Sequence, residues 1–491
     1  MNEQVNAPAS EVADSVKAEL SDWRRWAARA VVIGFAILAG LTVVALTALS
    51  EWALEKFFSV THHSIWWALL WTPACTAAIV WVTRRWAPGA GGSGIPQVLA
   101  ALDTQTPEHE RKRFVSLRLS ISKLLLTTGG LLAGLSTGRE GPSVQVAAGV
   151  MHHARRWLPK GTQLSERGLM VAGGAAGIAA AFNTPLGGVL FAIEELSRRA
   201  EDRSSGLLIA AIVLAGLIAV SIYGDTSYFG EIQTQASPAD IFWPGLLATL
   251  MCGVAGGLFS RLMIRSLTGA PDRFSQWRRQ YPIRFAAGCG LAVAVIGIAT
   301  QGATFGSGYD STKALLAGDT TTSQLNPLLR FVATWLSTWS GVPGGVFAPS
   351  LAIGAGIGAD VALWTGFLHE PALIALGMVG FLAAVTQAPI TSFIIVMEMV
   401  EGHALVLSLM ACAMVASTIS RMISAPLYPA LAHAMMAPFR APAPEPAAEG
   451  TVSPQVAADN ADTPPETAAC PTSHSDETPP PTDEHRPPPA G

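Results

Sequence analysis

The chain has 491 residues, 50% of them hydrophobic and only 13% charged, against about 25% charged in soluble domains. Its net charge of −4 provides no basic field to gather phosphates. These figures exclude an ordinary soluble enzyme and a nucleic-acid binder.

Polar residues 1–29 come first, and Lys17, Arg24, Arg25 and Arg29 among them predict a cytoplasmic N-terminus by the positive-inside rule. No small-residue cleavage site follows, so no signal peptide is predicted. Runs without Asp, Glu, Lys or Arg then occupy 30–50, 57–83, 168–193, 204–224, 241–260, 285–309, 331–359, 371–397 and 402–420. Each has the roughly 20 residues needed to cross a bilayer. None alternates apolar with polar residues, which excludes a transmembrane β-barrel. The chain therefore reads as a polytopic membrane protein of helical spans. Trp26, Trp52, Trp86, Trp157, Trp243 and Trp277 flank runs as interfacial anchors do. Basic clusters at Arg84/Arg85, Arg111–Arg113, Arg155/Arg156/Lys160, Arg198/Arg199/Arg203 and Arg273/Arg278/Arg279 fall in too many loops to fix every side.

Forty-seven glycines, with prolines scattered inside the apolar part, predict helices interrupted at membrane depth, where they line a polar cavity or lie buried in protein. Residues 441–491 hold 13 prolines, 9 acidic residues and one arginine. They read as a disordered cytoplasmic tail, in which Asp483, Glu484 and His485 are solvated charges rather than metal ligands. Cys75, Cys252, Cys289, Cys412 and Cys470 form no CxxC or His/Cys cluster. They read as small apolar residues, with no metal and no cofactor expected.

The chain repeats itself. Gly138-Arg-Glu-Gly-Pro-Ser143 parallels Gly345-Val-Phe-Ala-Pro-Ser350, and Ala180–Glu194 aligns with Ala384–Glu398 through Pro185 and Pro389. Similar halves mark transporter folds, with the site at their interface. Sequence alone leaves inverted and parallel halves open.

Three G-x-x-x-P elements open apolar helical stretches: Gly92-Ser93-Gly94-Ile95-Pro96, Gly138-Arg139-Glu140-Gly141-Pro142 and Gly345-Val346-Phe347-Ala348-Pro349. Proline suits a first helical turn because its missing N–H would be unpaired there. The result is a helix N-terminus inside the membrane, with free N–H groups that bind anions by partial charge. No P-loop or dinucleotide fingerprint is present. Glu140 lies at such an N-terminus, where its repeat counterpart is Phe347. An ionisable group at membrane depth marks function. Charged, it sits where an anion would sit; protonated, it leaves. A salt bridge to Arg139 is disfavoured because adjacent side chains at a helix start diverge.

These motifs resemble the CLC family of chloride channels and chloride/proton antiporters. GSGIP, GREGP and GVFAP match its three selectivity-filter signatures, and residues 179–195 and Pro426-Leu427-Tyr428 match further family segments. The resemblance spans about 30–436. It implies an all-α membrane fold of two inverted-topology repeats of tilted and broken helices, here 30–222 and 223–440. It also implies a homodimer in the lipid bilayer with one anion pathway per subunit. Under it, the hydroxyls of Ser93 and Tyr428 and the backbone N–H groups of Val346 and Phe347 hold chloride. Glu140 is gate and external proton carrier, and Glu195 the internal proton-transfer residue. Lys123 resembles a family lysine near the pathway. On residue type alone, Ser93 also reads as a helix cap, Tyr428 as an interfacial aromatic and Lys123 as a snorkelling lysine. Glu194 and Glu195 likewise read as juxtamembrane charges. The repeat separates these two: Glu194 matches Glu398 and reads as structural, whereas Glu195 matches Met399. Gln97 departs from the glutamate many relatives carry.

The expected function is chloride/proton antiport across the inner membrane, with both termini cytoplasmic. The alternative is a passive voltage- or pH-gated chloride channel of the same fold. An organic-anion transporter calls for arginine in the spans, which are almost free of basic residues. A membrane enzyme calls for a nucleophile–base pair or a metal motif, and none is present.

Overall fold

The structure, a computed structural model, describes residues 23–162, 164–196, 205–224, 228–232, 238–318 and 324–437. Most of the polar N-terminal arm, the Arg198/Arg199/Arg203 cluster and the proline-rich tail lie outside the described residues. Among the described residues every regular element is helical, and the one β-type pairing is an antiparallel bridge between Gly138 and Gly345.

The first half comprises α1 (Trp23–His63), α2 (Ala68–Trp86), α3 (Ile95–Leu102), α4 (Leu117–Leu132), α5 (Glu140–His153), α6 (Glu166–Phe182), α7 (Pro185–Phe191) and α8 (Ser205–Tyr223). Besides the short helix Arg273–Gln280, the second comprises α9 (Pro238–Thr268), α10 (Pro282–Ala299), α11 (Tyr309–Leu316), α12 (Asn326–Trp339), α13 (Phe347–Thr365), α14 (Glu370–Thr386), α15 (Pro389–Met399), α16 (Val406–Ile423) and α17 (Leu427–Met436). Among the described residues, seven helices are long and apolar enough to cross a membrane. At 41 residues, α1 reaches ~60 Å, twice a hydrocarbon core, so it crosses only by tilting or protruding.

Several charge-free runs are not single spans. The run 168–193 is cut between Phe182 and Pro185, and 371–397 between Thr386 and Pro389. The cause is local and identical in both halves. Asn183 (φ 58°) and Gln387 (φ 57°) take the left-handed conformation that ends a helix. The next residue precedes a proline, which keeps it out of the α region. Run 331–359 breaks at 340–346, where the GVFAP motif begins, and run 57–83 covers the end of α1 and most of α2. Counting apolar residues missed these breaks because the turns are themselves apolar or uncharged.

The same halves pack alike. In the first, α5 and α6 touch so closely that a Cβ on Gly177 would lie 2.6 Å from the Ser143 carbonyl. In the second, a Cβ on Gly354 of α13 would lie 2.2 Å from the Gly377 carbonyl of α14. The halves also exchange side chains. Glu194 accepts hydrogen bonds from Ile390 N (3.2 Å) and Thr391 N (2.6 Å) at the start of α15. Glu398 accepts from Leu186 N (3.2 Å) and Gly187 N (2.7 Å) at the start of α7. Each half caps the other's broken helix at equivalent positions, as a local two-fold relation requires.

Candidate anion site

The three glycine-proline motifs meet at one place and are joined through their backbones. Gly138 N donates to Gly345 O (2.8 Å), Gly345 N to Gly138 O (2.7 Å) and Gly344 N to Gly92 O (3.1 Å). Gly94 takes φ 113°, and a Cβ there would lie 2.5 Å from the Gly141 carbonyl. Only glycine lets the first motif lie this close to the second.

Two buried side chains fix the first motif. Gln97 Oε1 accepts from Gly94 N (2.9 Å), and its Nε2 donates to Gly91 O (2.5 Å). Gln97 therefore does the capping, and the reading of Ser93 as the cap is overturned. Lys123 is fully buried; its Nζ donates to Ala90 O (2.8 Å) and Gly92 O (2.5 Å). The snorkelling reading of Lys123 is overturned too, because the amine ties down the turn leading into the motif. Lys123→Met would leave the buried Ala90 O without its partner, at about 1–3 kcal/mol, and Gly92 O with Gly344 N alone. Relief of the lysine's own desolvation offsets part of this. A net fall in the apparent thermal midpoint in detergent is expected, and an unchanged midpoint would show that the amine is dispensable.

Ser93 Oγ and Tyr428 OH are buried and face one another, without completing a hydrogen bond of good geometry. Tyr428 is 1% exposed, so it is not an interfacial aromatic. Its ring stacks on Phe347 with centroids 6.1 Å apart. Val346 and Phe347 head α13, ahead of its first internal bond, from Ser350 N to Val346 O. Two hydroxyls and a helix N-terminus thus converge, and all of them can donate.

On one side this place opens to a cavity of about 510 Å³ whose lining includes Ser93, Val346 and Tyr428. Among the described lining residues are Arg84 and Arg278 and no carboxylate. The vestibule therefore carries a potential that draws anions. Neither arginine was assigned to the site from sequence, where both read only as loop charge.

Glu140, the first residue of α5, is 1% exposed. Its side chain leaves its own helix and reaches the facing half, where Oε2 accepts from Ala348 N in the first turn of α13 (3.4 Å). Arg139 turns away and pairs with Glu51 (3.0 Å), Thr47 O (3.2 Å) and Tyr228 OH (3.5 Å). Tyr228 packs edge-on against Phe182 and Tyr309. The sequence reading missed Glu51, Tyr228 and Tyr309. The chain has only 5 tyrosines, and three of them gather around this site, which was the available signal.

Glu195 is 2% exposed in a π-helical turn, Ala192–Leu196, that follows α7. Such turns are frequent at functional positions. Tyr428 lies within electrostatic reach of both Glu195 and Glu140. Glu194, one residue earlier, points to α15 instead, so the two neighbours occupy different environments. No cluster of His, Cys, Asp and Glu among the described residues has the makings of a metal site.

The family model described as "Voltage gated chloride channel" matches residues 75–421. The H(+)/Cl(-) exchange transporter ClcA of Cronobacter sakazakii is 30% identical over 80% of this chain and 86% of its own length. That of Vibrio parahaemolyticus is 30% identical over 78% of this chain and 83% of its own. Among solved structures, a slow cyanobacterial Cl−/H+ antiporter superposes with a TM-score of 0.70 at 24% identity, covering 84% of this chain and 97% of that one. A CLC-type fluoride/proton antiporter gives a TM-score of 0.67 at 22% identity, covering 84% and 99%.

Proposed function

The chain belongs to the CLC family described as voltage gated chloride channels, and from that premise we propose that it exchanges chloride for protons across the membrane. The observation that carries the reading is the carboxylate of Glu140 against the backbone of α13. A carboxylate there occupies an anion's seat. Chloride reaches the seat from the vestibule and is held by Val346 N–H, Phe347 N–H, Ser93 Oγ and Tyr428 OH. Glu140 takes Ala348 N in the same first turn of α13, so carboxylate and chloride compete for one helix N-terminus, and anion movement waits on protonation of Glu140. Once neutral, the carboxyl loses its charge-assisted bond, roughly twice as strong as a neutral one, and the anion displaces it. Glu195, buried within electrostatic reach of Tyr428, is the internal proton-transfer residue of this reading. The relatives described as exchange transporters support exchange over passive conduction.

A passive channel needs no second buried carboxyl, and Glu195 favours exchange over that reading. The test is the reversal potential of reconstituted protein under separate chloride and proton gradients. Exchange shifts it with pH, whereas a channel holds it at the chloride equilibrium potential. An inner-membrane location, cytoplasmic termini and a homodimer with one pathway per subunit belong to the same proposal.

The role of Ser93 has its own test. Ser93→Pro removes the hydroxyl that faces Tyr428 and also the backbone N–H of this residue. Chloride uptake into proteoliposomes should fall relative to nitrate, which accepts hydrogen bonds over a wider face. Unchanged selectivity would leave anion choice to Tyr428 OH and the N–H groups of α13.

A further inference from the structure

On the vestibule side, the start of α4 stands between two cavities. One, of about 870 Å³, is lined by Lys112, Arg118, Arg155, Arg156, Glu108 and Glu166, with three histidines. The other, of about 670 Å³, is lined largely by apolar groups, among them Trp86, Phe114 and Leu119. Lys112, Ser116 and Arg118 line both.

The carboxylates of the first cavity are already taken. Arg155 donates to Glu108 (2.5 Å) and also to Glu166. Glu166 also meets His152 at 2.6 Å and Arg111 at 3.4 Å. The Arg155 guanidinium holds the Glu108 carboxyl below its ordinary range. Lys112, Arg118 and Arg156 make no ion pair among the described residues. With the histidines neutral, the lining carries four cations against two carboxylates.

An apolar stripe leads away from these cations. Leu117, Ile121 and Leu125 are exposed on α4 at intervals of four, hence on one face of the helix. Trp86 (60% exposed) and Trp157 (66%) flank the region, as residues at the polar boundary of a bilayer do. A free phosphate would use the cations and leave the stripe unused. An amphiphile with an anionic head uses both.

We propose that this is a binding site for an anionic phospholipid, its headgroup between Lys112, Arg118 and Arg156 and an acyl chain along Leu117, Ile121 and Leu125. The site adjoins the selectivity motif through short links. Gln145 Nε2 donates to Gly89 O (3.0 Å) and Phe114 O (2.8 Å). A Cβ on Gly89 would lie 2.2 Å from the Arg113 carbonyl. The segment Pro88–Gly92, which carries the chain into Ser93, thus rests on the connector that bears Lys112. Occupancy by lipid stiffens that segment. The binding claim stands without the proposed exchange reaction; its effect on flux rests on it.

The test is retention of phosphatidylglycerol against phosphatidylcholine by the purified full chain, read by native mass spectrometry. The wild type should prefer phosphatidylglycerol. The triple variant Lys112→Gln/Arg118→Gln/Arg156→Gln should lose at least about tenfold in apparent affinity. The control Arg273→Gln/Arg279→Gln/Arg284→Gln, with the same charge change elsewhere, should retain the lipid. Arg156→Gln alone, on an exposed side chain, should show a smaller loss and serves where the triple variant cannot be purified. Ile121→Ser/Leu125→Ser should also weaken retention, and excess glycerol phosphate should displace the lipid only in part. Equal retention by wild type and triple variant overturns the proposal. So does full displacement by glycerol phosphate with the serine variant unchanged, which would make the ligand a free phosphate. Because binding is read without transport, a failure of the exchange reading leaves this result interpretable.

Discussion

Glu140→Gln is expected to convert proton-coupled exchange into passive chloride conduction. Glutamine matches a protonated glutamate in size and polarity, but it carries no charge and cannot take up or release a proton. The wild-type carboxylate is buried in the structure and accepts from Ala348 N at the head of α13. A charge at that depth is tolerable because it faces a helix N-terminus, the same feature that would stabilise chloride. The neutral amide loses most of that attraction, so chloride no longer has to displace it. Flux should continue, become insensitive to pH, and reverse at the chloride equilibrium potential. Proton movement should fall to the leak of protein-free liposomes. Arg139 keeps its partners Glu51, Thr47 and Tyr228, so loss of folding is not expected, and thermal unfolding in detergent checks this. Proton pumping by Glu140→Gln would place the carrier elsewhere.

Much of this arrangement was legible in the sequence because it recurs there. The paired G-x-x-x-P motifs, the Pro185/Pro389 match and the Glu194/Glu398 match each appear twice in the same order. The structure turns each match into a contact or an equivalent turn: the Gly138–Gly345 bridge and the reciprocal caps. Groups without a repeat counterpart were harder. Lys123 gave no sign that it was buried, since its two carbonyl partners lie 33 and 31 residues away. Gln97 was noticed as a missing charge, yet its side chain closes the turn that presents Ser93. Glu51 lies 88 residues from Arg139, and no period or spacing links them. The breaks after Phe182 and Thr386 depend on Asn183 and Gln387 taking a left-handed conformation. Hydropathy does not register such a turn. Local chemistry was thus readable, and repeated chemistry more so. Pairings set by the path of the chain were not.

The second large effect separates Glu194 from Glu195. Successive helical side chains point about 100° apart, and here the pair diverges further in role. Glu194 receives Ile390 N and Thr391 N, and Glu398 receives Leu186 N and Gly187 N. These are matched caps, and each carboxylate presents two oxygens to two N–H groups. Glutamine has one acceptor oxygen, and its NH2 would face a donor. Glu194→Gln and Glu398→Gln should therefore cost about 1–3 kcal/mol each and lower the apparent thermal midpoint by similar amounts. What survives of either should still couple chloride to protons. Glu195 has no acidic counterpart in the other half; it is buried in the π-helical turn, within electrostatic reach of Tyr428. A proton route serving one face of the membrane needs no counterpart in the other half, where Met399 stands at the matching position. Glu195→Gln should therefore abolish proton movement while chloride flux persists and the thermal midpoint stays near wild type. Paired chloride and proton fluxes from the same liposomes, with unfolding curves for all three variants, decide the matter. Coupled exchange surviving in Glu195→Gln but lost in Glu194→Gln would reverse the two assignments. Indifference of proton flux to both would remove the internal carrier, and the passive channel would become the better account.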